Sequence, residues 1–153
     1  GENVGVLSEA GCPGVADPGS SIVKLAHKRD MPVVPLVGAS SILLALMASG
    51  FNGQNFAFHG YLPRDKNVLS KTLKRLESKI SRENQTQIFM EVPYRNERLL
   101  EEVLKSCSDK TQLCIACDLT LESEFIKTKS IYDWKKGALP KLHKRPCIFL
   151  IYK

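Results

Sequence analysis

Two loops rich in glycine and small residues carry the clearest chemical signal in this sequence. The first, GCPGVADPG, spans residues 11–19, and the second, VGASS, spans residues 37–41. Glycine has no Cβ, so loops of this composition let backbone N–H and C=O groups approach a ligand closely. Such groups can bind a purine edge or a carboxylate without a charged side chain. Neither loop matches the phosphate-binding or the dinucleotide-binding glycine pattern.

Other patterns of catalytic or metal-binding residues give little signal. The three histidines, His27, His59 and His143, are scattered and form no zinc-ligand spacing, so we expect no metal. There is no G-x-S-x-G nucleophile elbow. Cys114 and Cys117 form a C-x-x-C, but QLCIACDL is predicted to be a strand, where residues three apart point to opposite faces. We therefore interpret these two cysteines as small buried hydrophobic residues in a reducing cytoplasm.

The first loop must be positioned by the elements on either side of it. The apolar run VGVL at 4–7 predicts a strand before the loop, and a helix is predicted from about Ser20 to Lys28. MPVVPLV at 31–37 predicts a second strand, and ILLALMASG at 42–50 a second helix. This alternation is typical of a parallel sheet with crossover helices, in which both glycine loops lie at the carboxyl edge.

The remainder of the chain predicts a mixed α+β sheet. NFAFHGYLP predicts a strand, and residues 67–82 have the apolar spacing of an amphipathic helix with a basic outer face. Further strands are predicted at 86–90, in QLCIACDL, in FIKTKSIYDWKK as a hairpin strand, and in CIFLIYK, with a helix through about Ser106. The polar cluster FNGQN predicts a boundary between a domain at 1–52 and another at 53–153.

The bulk composition is that of a globular chain with a modest excess of positive charge. The sequence has 153 residues, 43% of them hydrophobic, and a formal net charge of +6. This charge fits either surplus surface lysines or a polyanionic partner such as RNA, and composition alone leaves both open. The longest apolar stretch, from Met31 to Phe51, is interrupted by prolines, glycine and serines, which does not favour a membrane span.

In chain order, LSEAGCPGVADPGS, VVPLVGASSILLALMASGF, FHGYLP and FMEVPYR resemble motifs of the tetrapyrrole methylases, which use S-adenosylmethionine. The branch that the sequence resembles most methylates a ribose 2′-hydroxyl of a cytidine in small-subunit ribosomal RNA. The resemblance implies an α/β fold of two domains with the cofactor between them, in a cytoplasmic homodimer. The family's first strand and opening loop have no counterpart here, so we expect a truncated first domain, with a partly parallel sheet, that binds cofactor weakly.

The resemblance also assigns cofactor-binding positions. Cys12 stands where relatives have aspartate or threonine, and Met90 is expected to close the pocket from the second domain. The full set of expected cofactor contacts is Gly11, Cys12, Pro13, Val15, Gly38, Ser40, Ser41, Met90 and Ala116.

The implied reaction moves the sulfonium methyl group to a hydroxyl oxygen, which a nearby base would assist. Glu91 and Asp118, at the ends of two strands, are the candidate catalytic carboxylates, although Glu91 could instead simply pair with Arg95. The residues expected to contact RNA are Arg95, Lys71, Lys74 and Arg75.

Three departures from the branch pattern put the RNA substrate in question. Cys117 and Leu121 stand where the branch has cations, Tyr94 replaces a histidine, and Lys144-Arg145-Pro146 replaces Lys-Gly-Glu. Two alternatives therefore remain beside RNA methylation. One is C-methylation of a tetrapyrrole or another small molecule, and the other is a non-catalytic RNA-binding relative.

Overall fold

The computed structural model describes residues 2–153, and it divides into two compact units. The first unit is Gly1–Ser41 and the second is Ile42–Lys153. The division falls earlier than the expected boundary after residue 52, because the helix that follows Ser41 packs on the sheet of the second unit. The helices are α1 Ser20–Lys28, α2 Ser41–Ser49, α3 Lys66–Glu83, α4 Asn96–Ser106 and α5 Ile131–Lys136.

The second unit is built on a five-stranded sheet of order β1-β2-β5-β3-β4. The strands are β1 Phe56–Tyr61, β2 Thr86–Met90, β3 Gln112–Cys117, β4 Phe125–Ser130 and β5 Cys147–Tyr152. β1 and β2 are parallel, whereas β5 is antiparallel to both β2 and β3, and β4 is antiparallel to β3. The mixed sheet expected for this part of the chain is confirmed. β1, β2 and β3 point in one direction, so their carboxyl ends share one edge.

Helices α3, α4 and α5 cover one face of this sheet. The apolar stripe of α3 is fully in this core, as its spacing predicted, and it packs near Phe89 and Phe149 of the central strands. Asp65 caps α3 by accepting a hydrogen bond from the Val68 N–H at 2.9 Å. Trp134 of α5 is 2% exposed and donates its indole N–H to the carbonyl of Leu113 at 2.9 Å.

Helix α2 covers the opposite face. Ile42, Ala45 and Leu46 pack against a cluster that includes Ile88 and Leu150. Although α2 is apolar around most of its circumference, its other side is open, since Leu43 and Met47 are 50% and 79% exposed. Cys114 lies in this cluster and Cys117 in the opposite one, so the prediction that the two thiols face opposite sides is confirmed.

The first unit forms α1 but neither of its two expected strands. Residues 4–7 and 31–37 have no regular secondary structure, and no partner strand for either run lies among residues 2–153. A strand exists only through hydrogen bonds to a neighbour, so an apolar extended run without one is not a strand. No residue between 2 and 41 is buried, and Leu36 is 87% exposed. The expectation of a partly parallel sheet in this unit is therefore wrong for the described residues.

One prediction for the second unit was also wrong. FIKTKSIYDWKK was expected to be a single hairpin strand, but the strand ends at Ser130 and α5 follows. Ser130 caps the helix, because its hydroxyl accepts from the Asp133 N–H at 3.0 Å and donates to the Asp133 carboxylate at 2.6 Å. Two local hydrogen bonds at this point favour a helical turn over continued strand pairing.

Candidate functional site

The first glycine loop forms a compact turn within the first unit. Gly11 and Gly14 have φ of 86° and 76°, values that favour glycine. The Val15 N–H donates to the Cys12 carbonyl at 3.2 Å, and the Gly14 N–H donates to the Pro18 carbonyl at 3.2 Å. A Cβ added at Gly11 or Gly14 would meet no atom within 4 Å, so the backbone there opens onto free space. The loop can therefore present backbone groups to a ligand.

The two glycine loops lie side by side in the first unit. The Cys12 thiol donates to the carbonyl of Ala39 at 3.5 Å, although 27 residues separate the two positions. Ala39 lies between Gly38 and Ser40, so this contact brings the expected cofactor positions of both loops together. Cys12 stands where relatives have aspartate or threonine, and that substitution alone did not predict its contact with the second loop.

A cavity of about 550 Å³ lies beside the first loop, at the beginning of α1. Its walls come from residues 6–9 and from residues 17–22, and they include the carboxyl side chains Glu9 and Asp17. None of the expected cofactor positions lines this cavity. Sequence reasoning did not single out this cavity.

Met90 and Ala116, the two expected cofactor positions of the second unit, lie close together at the carboxyl edge of the sheet. Each is paired with the same residue, Ile148 of β5, from opposite sides. Since neighbouring strands lie about 4.8 Å apart, the backbones of Met90 and Ala116 are roughly 10 Å apart. Both residues belong to the sheet face that α2 covers. Ala116 is 1% exposed, so its side chain is core, and only its backbone remains for ligand contact.

Glu91 is held in an ion pair beside this edge. Its Oε1 accepts from Arg95 Nη2 at 2.8 Å and from the Val92 N–H at 2.8 Å. The side chains of Glu91 and Arg95 are 10% and 19% exposed. Glu91 therefore pairs with Arg95, as the alternative interpretation of the sequence had it. The Arg95 guanidinium, which was expected to contact RNA, is already bonded to this carboxylate.

Asp118 is held in a second and separate ion pair. Its Oδ2 accepts from Arg145 Nε at 2.7 Å and from the Ser123 hydroxyl at 2.8 Å. Asp118 has φ of 50°, a left-handed conformation that aspartate tolerates. Burial pushes the pKa of the Asp118 carboxyl upward, but the hydrogen bonds from Arg145 and Ser123 outweigh burial and hold it below its usual value. The group is a carboxylate at neutral pH.

Arg145 is a site residue whose role sequence reasoning missed. It also donates to the carbonyls of Lys141 at 3.0 Å and Ser123 at 2.6 Å. Its guanidinium thus brings a positive charge to the end of β3. Cys117 and Leu121 replace the cations that the related branch has at this strand end. The sequence feature that could have indicated this role is the pair of basic residues Lys144-Arg145 just before β5, but its position in the sequence does not link it to Asp118.

The two candidate carboxylates do not act as a pair. Glu91 follows β2 and Asp118 follows β3, and β5 lies between these strands. The two strands are therefore roughly 10 Å apart, and each carboxylate has its own arginine.

Among residues 2–153 no group of three potential ligands is placed to hold a metal ion, and no helix is long and apolar enough to cross a membrane.

The basic residues of α3 are exposed, but they do not share one site. Lys71, Lys74 and Arg75 all lie on the solvent side of the helix. Lys74 lines a cavity together with residues from the segment just before β3 and from the end of β5. Those strand ends are at the edge of the sheet opposite Met90 and Ala116. Lys74 therefore lies away from the expected cofactor edge.

Comparison with known proteins identifies one family over most of the chain. The family model of the tetrapyrrole (corrin/porphyrin) methylases matches residues 1–134. The chain is 29% identical over 154 aligned residues to ribosomal RNA small subunit methyltransferase I of Buchnera aphidicola subsp. Schizaphis graminum, covering 99% of this chain and 53% of that protein. The protein of the same name from Bacillus subtilis is 37% identical over 128 residues, covering 83% and 42%. The chain thus spans about half the length of these relatives.

Solved structures show the same fold. The methyltransferase CobJ matches with a TM-score of 0.59 at 19% identity, over 94% of this chain and 62% of that one. A uroporphyrin-III C-methyltransferase from Thermus thermophilus, complexed with S-adenyl homocysteine, matches with a TM-score of 0.50 at 15% identity, over 94% and 63%. The expected fold class is confirmed.

Proposed function

Because the chain belongs to the tetrapyrrole (corrin/porphyrin) methylase family, we propose that it is an S-adenosylmethionine-dependent methyltransferase. We propose further that it methylates the 2′-hydroxyl of a cytidine ribose in small-subunit ribosomal RNA. The observation that supports ribosomal RNA as the substrate is the 37% identity, over 83% of the chain, to a protein named for methylation of small-subunit ribosomal RNA. The cytidine 2′-hydroxyl is what the resemblance of the sequence motifs to one branch of the family implies. The net charge of +6 is of the sign that a polyanionic substrate requires.

The residues of each unit fit the cofactor that the family uses. In the first unit, Gly11 and Gly14 leave backbone open to solvent, and the Cys12–Ala39 contact holds the two loops together. In the second unit, Met90 and the backbone of Ala116 flank Ile148 at the carboxyl edge of the sheet. When bound, S-adenosylmethionine supplies an activated methyl group, and these residues bind and orient it. The full proposed set is Gly11, Cys12, Pro13, Val15, Gly38, Ser40, Ser41, Met90 and Ala116.

Asp118 is the better candidate of the two carboxylates for the proton of the ribose hydroxyl. Both of its hydrogen bonds end on Oδ2, which leaves Oδ1 out of the ion pair. Its low pKa keeps it ionised at neutral pH, and Arg145 fixes its orientation. A carboxylate this acidic is a weak base, so we assign it mainly an orienting hydrogen bond to the hydroxyl. The larger contribution to rate comes from holding the acceptor oxygen in line with the methyl group.

The test is methyl transfer into purified small ribosomal subunits with cofactor labelled in its methyl group. The RNA is digested to nucleosides and analysed by mass spectrometry, and the modified site is mapped by its resistance to alkaline cleavage, because a 2′-O-methyl group removes the attacking hydroxyl. We expect label in 2′-O-methylcytidine. Asp118→Asn should lower the turnover rate while leaving cofactor affinity unchanged. Label in a base, or in no RNA, contradicts the proposal.

One observation favours a second candidate. Cys117 and Leu121 stand where the ribosomal RNA branch has cations, and the guanidinium that the fold brings to this strand end, Arg145, is paired with Asp118, which weakens the case for a polyanionic substrate there. Methylation of a tetrapyrrole carbon is therefore the competing proposal. Incubation with a porphyrinoid and labelled cofactor tests it, and label in the porphyrinoid alone would favour it. Cofactor binding without transfer to either acceptor would instead favour a non-catalytic RNA-binding relative.

We also propose that the protein works as a homodimer, as the family resemblance implies. Light scattering coupled to size exclusion at several protein concentrations tests this, and a mass that stays at the monomer value contradicts it.

A further inference from the structure

A basic groove lies at the edge of the sheet away from the proposed cofactor site. It is a cavity of about 440 Å³ between the second half of α3, the segment just before β3 and the end of β5. Lysines from three different segments line it, together with serine hydroxyls. These residues are Lys74, Lys110, Lys153, Ser78, Ser81 and Ser108.

The lysines of this groove are not engaged in ion pairs by the protein itself. Within residues 2–153 none of the three lysines forms an ion pair, because the pairs present are Arg95–Glu91, Lys135–Asp109 and Arg145–Asp118. The neighbouring acidic residue Asp109 is thus already engaged by Lys135.

Glu77 is the only carboxylate among the groove's lining residues. Its Oε1 accepts from the Ser108 N–H at 2.7 Å and from the Thr111 hydroxyl. These bonds order the turn that carries Lys110, so Glu77 serves the shape of the groove. Lysine side chains therefore outnumber carboxylate side chains among the lining residues by three to one.

The groove is distinct from the proposed reaction site. It lies where β3 begins and β5 ends, whereas Met90, Ala116 and Asp118 lie where β3 ends and β5 begins. At about 3.3 Å per residue, the six residues of β3 separate the two edges by roughly 17 Å. A substrate that reaches both must be a macromolecule.

We infer that this groove binds the phosphodiester backbone of the RNA substrate at a distance from the nucleotide that is methylated. The inference deepens the proposed function and rests on it. Ammonium groups and hydroxyls are the side chains that contact phosphates without reading sequence. A protein partner would need apolar or aromatic anchors in a desolvated pocket. The apolar and aromatic residues that line the groove are Ile80 and Tyr152, and the Tyr152 hydroxyl already donates a hydrogen bond to the Asn84 side chain.

The test is the salt dependence of RNA binding by the intact chain. A fluorescein-labelled single-stranded RNA is titrated with wild type, Lys74→Gln, Lys110→Gln and the double variant at several salt concentrations. Removing one lysine that neutralises a phosphate of a single strand reduces the slope of log affinity against log salt concentration by about 0.7. We therefore expect the slope of the double variant to be smaller than that of wild type by about 1.4. Lys127→Gln is the matched control, since it removes one exposed charge from the middle of β4, outside the groove. Its slope should decrease by less than that of either groove variant.

The outcomes separate this inference from the proposed function. If wild type binds RNA and the double variant keeps its slope, the groove inference is wrong while the methyl-transfer proposal stands. If wild type does not bind RNA, the inference is also wrong, and the methyl-transfer assay decides the function independently. If the variants instead lose affinity for polyglutamate and not for RNA, the groove takes an acidic protein. In steady-state methylation of subunits, we expect the double variant to raise KM and preserve kcat, which a loss of folding would not do.

Discussion

Removing the guanidinium of Arg145 should destabilise the sheet edge that carries Asp118. Arg145→Met keeps much of the aliphatic stem but deletes the donors to Asp118, Ser123 and Lys141. The Asp118 carboxylate would then remain largely buried with the Ser123 hydroxyl as its remaining hydrogen-bond donor. A charged group that loses its partner while still shielded from water lowers the free energy of unfolding.

The exposure of the two side chains sets the size of this effect. Breaking a fully buried ion pair costs about 3–5 kcal/mol, whereas an exposed pair contributes about 0–1 kcal/mol. The Asp118 side chain is 8% exposed and that of Arg145 is 28% exposed, so water partly screens the pair. We therefore expect a loss of about 2 kcal/mol, which corresponds to a decrease in the unfolding midpoint of roughly 4–8 °C for a chain of this length.

The direction of the Asp118 pKa shift determines how the stability loss in Arg145→Met changes with pH. The pKa of Asp118 is lower in the folded protein than in the unfolded chain, so the pair stabilises the fold fully above the unfolded value of about 3.9. That contribution is lost as pH falls through the lower folded pKa. The difference between wild type and Arg145→Met in urea unfolding should be equal at pH 7 and pH 5 and smaller at pH 3.

Two controls make the result interpretable. Arg82→Met removes an exposed arginine from the last turn of α3 and should change the midpoint by less than Arg145→Met does. Asp118→Asn combined with Arg145→Met should be more stable than Arg145→Met alone, because no charge is then left without a partner. A single Arg145→Met variant that melts with wild type, or a difference that grows on acidification, would refute this reasoning.

Three further predictions follow from the same contacts. At pH 8 an aromatic disulfide reagent should modify the partly exposed Cys12 before the buried Cys107. The reason is that burial, with a smaller contribution from Glu77, raises the pKa of Cys107 to about 12. Peptide mass spectrometry measures the order of labelling, and labelling of Cys107 before Cys12 contradicts the prediction. Trp134→Phe leaves the Leu113 carbonyl without its donor and should cost about 1–3 kcal/mol in chemical unfolding, with an unchanged midpoint as the contrary result. Glu77→Ala removes the acceptor for Ser108 and Thr111 and should speed amide hydrogen exchange in the 108–111 turn; exchange at the wild-type rate speaks against that role.

Local patterns were sufficient for most elements of the second unit. The spacing of Leu69, Leu73, Leu76 and Ile80 predicted α3 and its buried face, and all four side chains are buried. Alternation along β3 predicted that Cys114 and Cys117 face opposite sides. These features could be predicted because helix and strand geometry place residues on faces by sequence spacing alone. The start of α5 could also have been found, since Ser130 and Asp133 have the spacing of a helix cap.

The strands expected in the first unit show where such patterns fail. Residues 4–7 and 31–37 have the composition of buried strands, yet none of them is buried and no strand among residues 2–153 pairs with them. Composition indicates that a segment suits a sheet, but pairing depends on a neighbour that the segment itself does not encode. The candidate base shows the same limit, because sequence spacing left open whether Glu91 paired with Arg95.

The sequence by itself determined the family, the glycine loops and the faces of the amphipathic elements, since all of these depend on residues close together in the chain. Tertiary structure alone decided which groups meet. The insertion of β5 between β2 and β3 separates Glu91 from Asp118, and it brings Arg145 to a carboxylate 27 residues earlier in the chain. It also places Lys110 and Lys153 beside Lys74 in one groove. Strand order is set by how the whole core packs, and no local pattern contains it.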